Sequence, residues 1–218
     1  NGSVGRLHQS GGTSRWNVVH INQGTLTVTN NARLEMGPGS TAHNKNIYMF
    51  NGSALNVQAG GEIVGLGSGM HSIVAADDPG ATGVVTMTGG RIDFTDAHGD
   101  SGVYLGTDMY GPANGAGVGI FNMSGGSAVL RNLNVGYSTG GEGIATLSGG
   151  TLSNTVLRIG GKAFTAATAS STGTVTVSGT HVLIPNGVTV GVYDNCQGTL
   201  NMSGGTVTNA SQGITFAF

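Results

Sequence analysis

Charged side chains are scarce in this sequence. They make up 8% of the 218 residues, against roughly a quarter in an average globular protein. Eight basic and ten acidic residues give a net charge of −2. A nucleic-acid-binding protein normally carries a basic patch, and the few Lys and Arg residues, spread over the chain, do not form one. We therefore expect no nucleic-acid partner.

Cysteine, proline and long hydrophobic runs are also rare or missing. Cys196 is the single cysteine, so the chain cannot form an internal disulfide. Only four prolines occur, and glycine does not recur at every third position, which excludes collagen. No apolar stretch reaches the roughly 20 residues that a membrane-spanning helix needs. The chain begins at Asn1 rather than Met, and we expect a trimmed product whose targeting signal has been removed.

Glycine, in contrast, is abundant, with 42 residues. Glycine costs about 1 kcal/mol relative to alanine in a helix, so this composition disfavours a helical protein. Hydrophobic residues still make up 38% of the chain and recur in order, which disfavours a disordered tail.

A repeated unit organises most of the chain. Residues 119–126 read Gly-Ile-Phe-Asn-Met-Ser-Gly-Gly, and residues 143–150 and 198–205 closely match them. Related units begin at residues 24, 53, 83 and 173, so the repeat recurs about every 29 residues. A second element, apolar-polar-apolar-Gly, follows the unit, as in Leu133–Gly136 and Leu157–Gly160. Each repeat therefore holds two or three short strands, with Gly-Gly and Gly-Asn pairs between them.

This pattern predicts an all-β, single-domain, right-handed parallel β-helix, or β-solenoid, of about 7–8 coils. At about 4.8 Å per coil the rod would be roughly 35 Å long. Each coil alone cannot bury its apolar side, and stacking makes the core continuous. One alternate set of side chains is expected inside: Met87, Met123, Leu147, Val177 and Met202. The other set is expected outside: Thr86, Asn122, Thr146, Thr176 and Asn201.

The Gly-x-φ-x-φ-Ser-Gly-Gly units, where φ is apolar, resemble the β-strand repeats of autotransporter passenger domains and related secreted bacterial surface proteins. The resemblance covers residues 24 to 218. It implies a parallel β-helix, export to the cell surface or extracellular space, and adhesion or a role in surface structure. It implies no catalytic residue and no cofactor.

An acidic group lies in the longest repeat and contains four aspartates: Asp93, Asp96, Asp100 and Asp108. Together with His98 they could bind Ca²⁺ through oxygen ligands, or act as the paired carboxylates of a polysaccharide-active enzyme. The interpretation that we adopt is a solvated loop with turn-forming aspartates, and no metal.

Two further patterns bear on chemistry. The Ser of each Ser-Gly-Gly recurs at every corner, whereas a nucleophile occurs once beside its own base, so we expect no enzyme activity. Five Asn-x-Ser sequons occur, at Asn1, Asn51, Asn122, Asn201 and Asn209. We expect most to be unmodified, and Asn122 and Asn201, which occupy equivalent outward positions, are the possible glycosylation sites.

The ends of the chain carry no capping helix. The C-terminal stretch from Gly213 to Phe218 is apolar and alternating. Residues 1–23 form a separate N-terminal segment, irregular to Arg15 and then a strand from Trp16 to Ile21, which could dock onto another subunit. Either the chain is a slice of a longer β-helix, or neighbouring copies cover its ends.

We therefore expect a secreted structural protein that stacks end to end into an extracellular filament or surface layer. The residues expected at the self-assembly interface are Trp16, Val18, Ile214, Phe216 and Phe218. The alternatives are an adhesin fragment that binds surface glycans and, less favoured, a polysaccharide lyase or hydrolase. Tyr104 and Tyr137 lie near the glycines at the expected corners of the coils, and they could line one face of the solenoid for sugar binding.

Overall fold

The computed structural model describes residues 5–37, 45–95, 98–107, 117–161, 170–184, 186–191, 195–209 and 213–216. Within these ranges the chain is all-β, with twenty strands joined in one sheet and no helix. The sheet is parallel and curls into a half-barrel. No helix fit to cross a membrane is found in the described ranges.

Each short strand pairs in parallel with the corresponding strand of the neighbouring repeat. These pairs form three parallel ladders. The first ladder runs through β1 (Arg6–Gln9), β4 (Thr25–Val28), β7 (Ser53–Val57), β10 (Thr82–Asp93), β12 (Val118–Val135), β13 (Glu142–Leu147), β15 (Thr172–Val177) and β18 (Gln197–Met202).

The second ladder takes the next strand of each repeat. It runs through β2 (Thr13–Trp16), β5 (Arg33–Met36), β8 (Glu62–Gly65), β10, β12, β14 (Thr151–Ile159), β16 (His181–Ile184) and β19 (Thr206–Asn209). The third ladder runs through β3 (Val19–Ile21), β6 (Lys45–Met49), β9 (His71–Ala75), β11 (Gly102–Leu105), β12, β14, β17 (Val188–Val190) and β20 (Ile214–Phe216).

We call each set of three successive segments, one from every ladder, a level. Level 1 consists of β1, β2 and β3, and level 8 consists of β18, β19 and β20. The long strands β10, β12 and β14 each belong to more than one ladder. In β10, for example, residues 83–87 pair with β7 and residues 91–93 pair with β8.

Side chains alternate between the core and the outside in the first ladder, as predicted. Met87, Met123, Leu147 and Val177 are buried at successive levels. The Thr and Asn residues that precede them point outward and are half-buried or exposed. The prediction was wrong for Met202, which is 52% exposed. Met202 lies in β18, which pairs with β15 on one side and with no described strand on the other.

Close backbone contacts explain why both repeated elements contain glycine. The first Gly of a unit packs against the Gly that ends the previous apolar-polar-apolar-Gly element. A Cβ on Gly143 would lie 2.0 Å from the backbone N of Gly136, which leaves no room for any side chain. Gly136 itself has a φ of +71°, a conformation that glycine adopts without strain. The same contact joins Gly173 to Gly160 and Gly198 to Gly191.

The N-terminal segment is more regular than the sequence indicated. Residues 1 to 15 were expected to be irregular, but β1 and most of β2 lie there. Trp16 ends β2, and only Val19–Ile21 of the predicted strand forms β3. All three strands pair in register with level 2, so this segment continues the ladders of the repeats.

Candidate functional site

The predicted acidic group has two members in the described part of the chain, Asp93 and Asp100; Asp96 and Asp108 lie outside it. The Asp93 carboxylate accepts hydrogen bonds from Arg91 and from the backbone and hydroxyl of Thr95. Burial alone would raise the pKa of Asp93, but the Thr95 hydrogen bonds and the charge of Arg91 lower it below its ordinary value. Asp93 therefore stabilises its own turn.

Asp100 lies apart from this turn. Its carboxylate is exposed and lies 3.5 Å from Nδ1 of His98. Among the residues that the structure describes, no three His, Cys, Asp or Glu side chains are grouped so that they could hold a metal ion.

Level 8 presents apolar side chains to solvent. The self-assembly residues of the C-terminal side were predicted at this level. Ile214 is 45% and Phe216 54% exposed. Both occupy positions that are buried at the preceding level, where Val188 and Val190 are their register partners. Phe218 lies outside the described residues.

Level 1 presents the complementary edge. Val18 and Leu7 are exposed, while Trp16 is half-buried and packs against the core. Trp16, Leu7, Val19 and Ile21 line a cavity of about 300 Å³. Of the two residues predicted on the N-terminal side, Trp16 lines this cavity, whereas Val18 is exposed and is not part of its lining.

A second group of side chains lies in the middle of the third ladder. Here the outward position is occupied at levels 4, 5 and 6 by Tyr104, Asn134 and Arg158, which are register partners. Residues that alternate with core residues are expected to point outward, yet Tyr104 and Asn134 are buried. Arg158 is only half-buried. We call these three residues, with Asn132 and Tyr137, the Arg158 cluster.

The Arg158 guanidinium is held from one side. Its Nη1 donates to Oδ1 of Asn132 at 3.1 Å and to Oδ1 of Asn134 at 3.2 Å. Asn132 is fixed in turn, because its Nδ2 donates to the carbonyl of Gly99 at 2.6 Å. No carboxylate within the described ranges forms an ion pair with Arg158.

The two tyrosines form the other side of the cluster. Their ring centroids are 5.0 Å apart, and the planes meet at 79°, an edge-to-face arrangement. The Tyr104 hydroxyl donates to the carbonyl of Asp100. Burial raises the pKa of both phenols, Tyr104 and Tyr137, and the positive charge of Arg158 partly opposes this rise.

Sequence reasoning noted both tyrosines but did not single out the arginine or the asparagines. A signal was present. Tyr104, Asn134 and Arg158 are the middle residues of three successive apolar-polar-apolar-Gly elements. Equal positions in successive repeats of a solenoid lie one above another, so aligning these elements would have stacked the three residues.

The possible glycosylation sites lie on the first ladder. Asn122 is half-buried and Asn201 is exposed. Asn122 has a register partner at the levels on both sides, Thr86 and Thr146, whereas Asn201 has one, Thr176.

No protein-family model matches this chain, and no match was found among curated proteins or solved structures.

Proposed function

We propose that this chain is a right-handed parallel β-solenoid of eight coils, one for each level. We propose further that it acts as a secreted, non-enzymatic structural subunit, stacking end to end in an extracellular filament or surface layer. The observation that carries the proposal is the exposed apolar side chains at levels 1 and 8, whose strands have no described partner strand on their outer sides.

The solenoid is supported by the order of the ladders. Each level takes its three segments in chain order, and the next level repeats that order in parallel register. Winding as a coil accounts for this order, because each repeat makes three parallel segments and the next repeat makes them again beside the first. Crossovers between parallel strands of one sheet are almost always right-handed, which favours that hand.

Stacking is supported by what the two edges present. The strands of level 8 pair with level 7 and with no other described strand. In the proposed assembly their outer N–H and C=O groups would pair with a further parallel strand, as in β-strand addition. Both edges carry three strands in the same order, so level 1 of a second copy can continue all three ladders.

Side-chain chemistry favours the same contact. In continued register, Phe216 would lie over Ile21 of the next copy and Ile214 over Val19, at the apolar cavity of level 1. Burying such side chains is worth about 1.5–3 kcal/mol each before the costs of association. The open edges thus combine strand pairing with apolar burial.

The test is self-association of the purified chain. Sedimentation velocity should show growth with concentration, and electron microscopy should show fibres with an axial repeat of about 38 Å, from eight levels at the strand spacing. A chain that stays monomeric at the highest soluble concentration would overturn the filament proposal.

A second candidate function, a surface adhesin that binds glycans, is favoured by the Arg158 cluster. The cluster combines aromatic rings with fixed hydrogen-bonding groups, which is the usual make-up of small-ligand sites. It lies at levels 4 to 6, away from both edges, so glycan binding and filament formation are compatible.

A further inference from the structure

We propose that the Arg158 cluster is a binding site for a carboxylate-bearing sugar, such as a uronic acid residue of an acidic polysaccharide. This inference rests on the glycan-binding candidate function but not on filament formation, because the cluster lies three or more levels from level 1 and two or more levels from level 8.

The proposal rests on the edge of the Arg158 guanidinium that is formed by Nε and Nη2. Both hydrogen bonds of Arg158 leave from Nη1. Nε and Nη2 donate to no residue in the described ranges, and the side chain is half-buried. Nε–H and one Nη2–H point in parallel and form the fork that binds a carboxylate in a bidentate manner.

The environment of the charge points to an anionic ligand. A half-buried charge is unfavourable unless it is paired, yet within the described ranges the partners of Arg158 are the neutral amide oxygens of Asn132 and Asn134. These amides fix the guanidinium in place, so binding requires little further ordering of its side chain.

The aromatic side of the cluster points to a sugar as the carrier of the carboxylate. Tyr137 is half-buried and remains partly open to solvent, while Tyr104 packs beneath it edge-to-face. An apolar ring beside a few fixed polar groups suits a ligand with C–H faces and polar edges. The negative charge of Asp100, which acts on both phenols, would repel an incoming carboxylate. Removing this charge therefore tests whether the ligand is an anion.

Calorimetric titration with a trimer of galacturonic acid, and with a trimer of galactose as the neutral match, tests the proposal. We expect binding of the acidic trimer only. Arg158→Lys keeps the charge but loses the fork, and affinity should fall about tenfold or more, the loss of one charge-assisted hydrogen bond. Asp100→Asn removes a like charge and should raise affinity.

Asn134→Asp is the matched variant that keeps Arg158. It places a carboxylate where Asn134 Oδ1 now accepts from Nη1, so an internal ion pair should compete with the ligand and weaken binding. Thermal unfolding confirms that each variant is folded. Equal binding of the neutral trimer, or affinity unchanged in Arg158→Lys, would overturn the carboxylate site, and equal affinity for acetate would overturn the sugar.

Discussion

Arg33 and Glu62 join two levels of the second ladder. Arg33 Nη1 donates to Glu62 Oε2 at 2.8 Å, and the two residues are direct register partners. Arg33 also donates through Nε to Glu35 on its own strand at 3.0 Å, and Glu35 accepts from Arg15 at 2.7 Å. The charges at levels 1 to 3 of this ladder are therefore matched among themselves, which favours a structural role over ligand binding.

This ion-pair network predicts a pH dependence of stability. Hydrogen bonds from Arg15 and Arg33 hold the pKa of the Glu35 carboxyl below its ordinary value. A lowered folded-state pKa gives stability that is present above the unfolded value and is lost as pH falls through the folded one. The melting temperature should therefore fall as the pH drops below the ordinary glutamate pKa of 4.5, and should fall less in Glu35→Gln.

The control for this measurement is Glu142→Gln. Glu142 is exposed and has no ion pair among the described residues, so its variant should keep the steep loss of the wild-type chain. A Glu35→Gln curve that runs parallel to the wild-type curve would show that the network contributes nothing.

Two methionines in equivalent repeats predict unequal costs. Met123 and Met202 both follow Asn and precede Ser-Gly-Gly, but they are 1% and 52% exposed. Met123→Ala should lower the free energy of unfolding by about 2–5 kcal/mol because it leaves a cavity between Met87 and Leu147. Met202→Ala should change it by about 0.5 kcal/mol or less in the monomer. Urea unfolding at low protein concentration measures both, and equal losses would contradict the assigned burial.

Much of the fold could be predicted because the signals are local and repeated. Period-2 alternation assigned the inward row, and a recurrence of about 29 residues gave the parallel pairing. Met202 was assigned wrongly because alternation reports which way a side chain points, and burial needs a neighbouring level as well. Met202 has seven register counterparts at the other levels of the first ladder. Six of them are buried, and the seventh, Gln9, lies at the other edge, level 1.

The candidate site was harder to predict than the fold. Asp93 and Asp100 are close in sequence, which made them look like a site, yet Asp93 is occupied by Arg91 and Thr95. The Arg158 cluster joins residues more than 50 positions apart, from Tyr104 to Arg158. The register between levels brings such residues together, and in the sequence it can be read only by aligning successive apolar-polar-apolar-Gly elements, not from composition or from one motif alone.

The contact between Gly143 and Gly136 predicts a severe effect of a single methyl group. A Cβ on Gly143 would lie 2.0 Å from a backbone nitrogen, so the two levels would have to separate locally. Gly143→Ala should destabilise the chain by about 1–3 kcal/mol or more. Gly99→Ala is the control, since a Cβ there has no atom within 4 Å and its φ is not positive. Thermal unfolding that ranks the two variants equally would contradict this account of the repeated glycines.

Blocking one edge at a time tests the direction of stacking. In the proposed stack, level 8 of one copy lies on level 1 of the next. Phe216→Lys should block level 8 and Leu7→Lys should block level 1, because each variant places a charge in an apolar contact. Each variant alone should sediment as a monomer. Ser148→Lys, an exposed position at level 6, is the control and should still form fibres.

An equimolar mixture of the two blocked variants gives the decisive result. Leu7→Lys retains a working level 8, and Phe216→Lys retains a working level 1, so these two edges can pair once. The product then carries a lysine at both outer edges and cannot grow. Sedimentation velocity should therefore show a dimer of two chains and no larger species. A mixture that stays monomeric would refute head-to-tail contact, and fibres from either variant alone would show that growth uses a different surface.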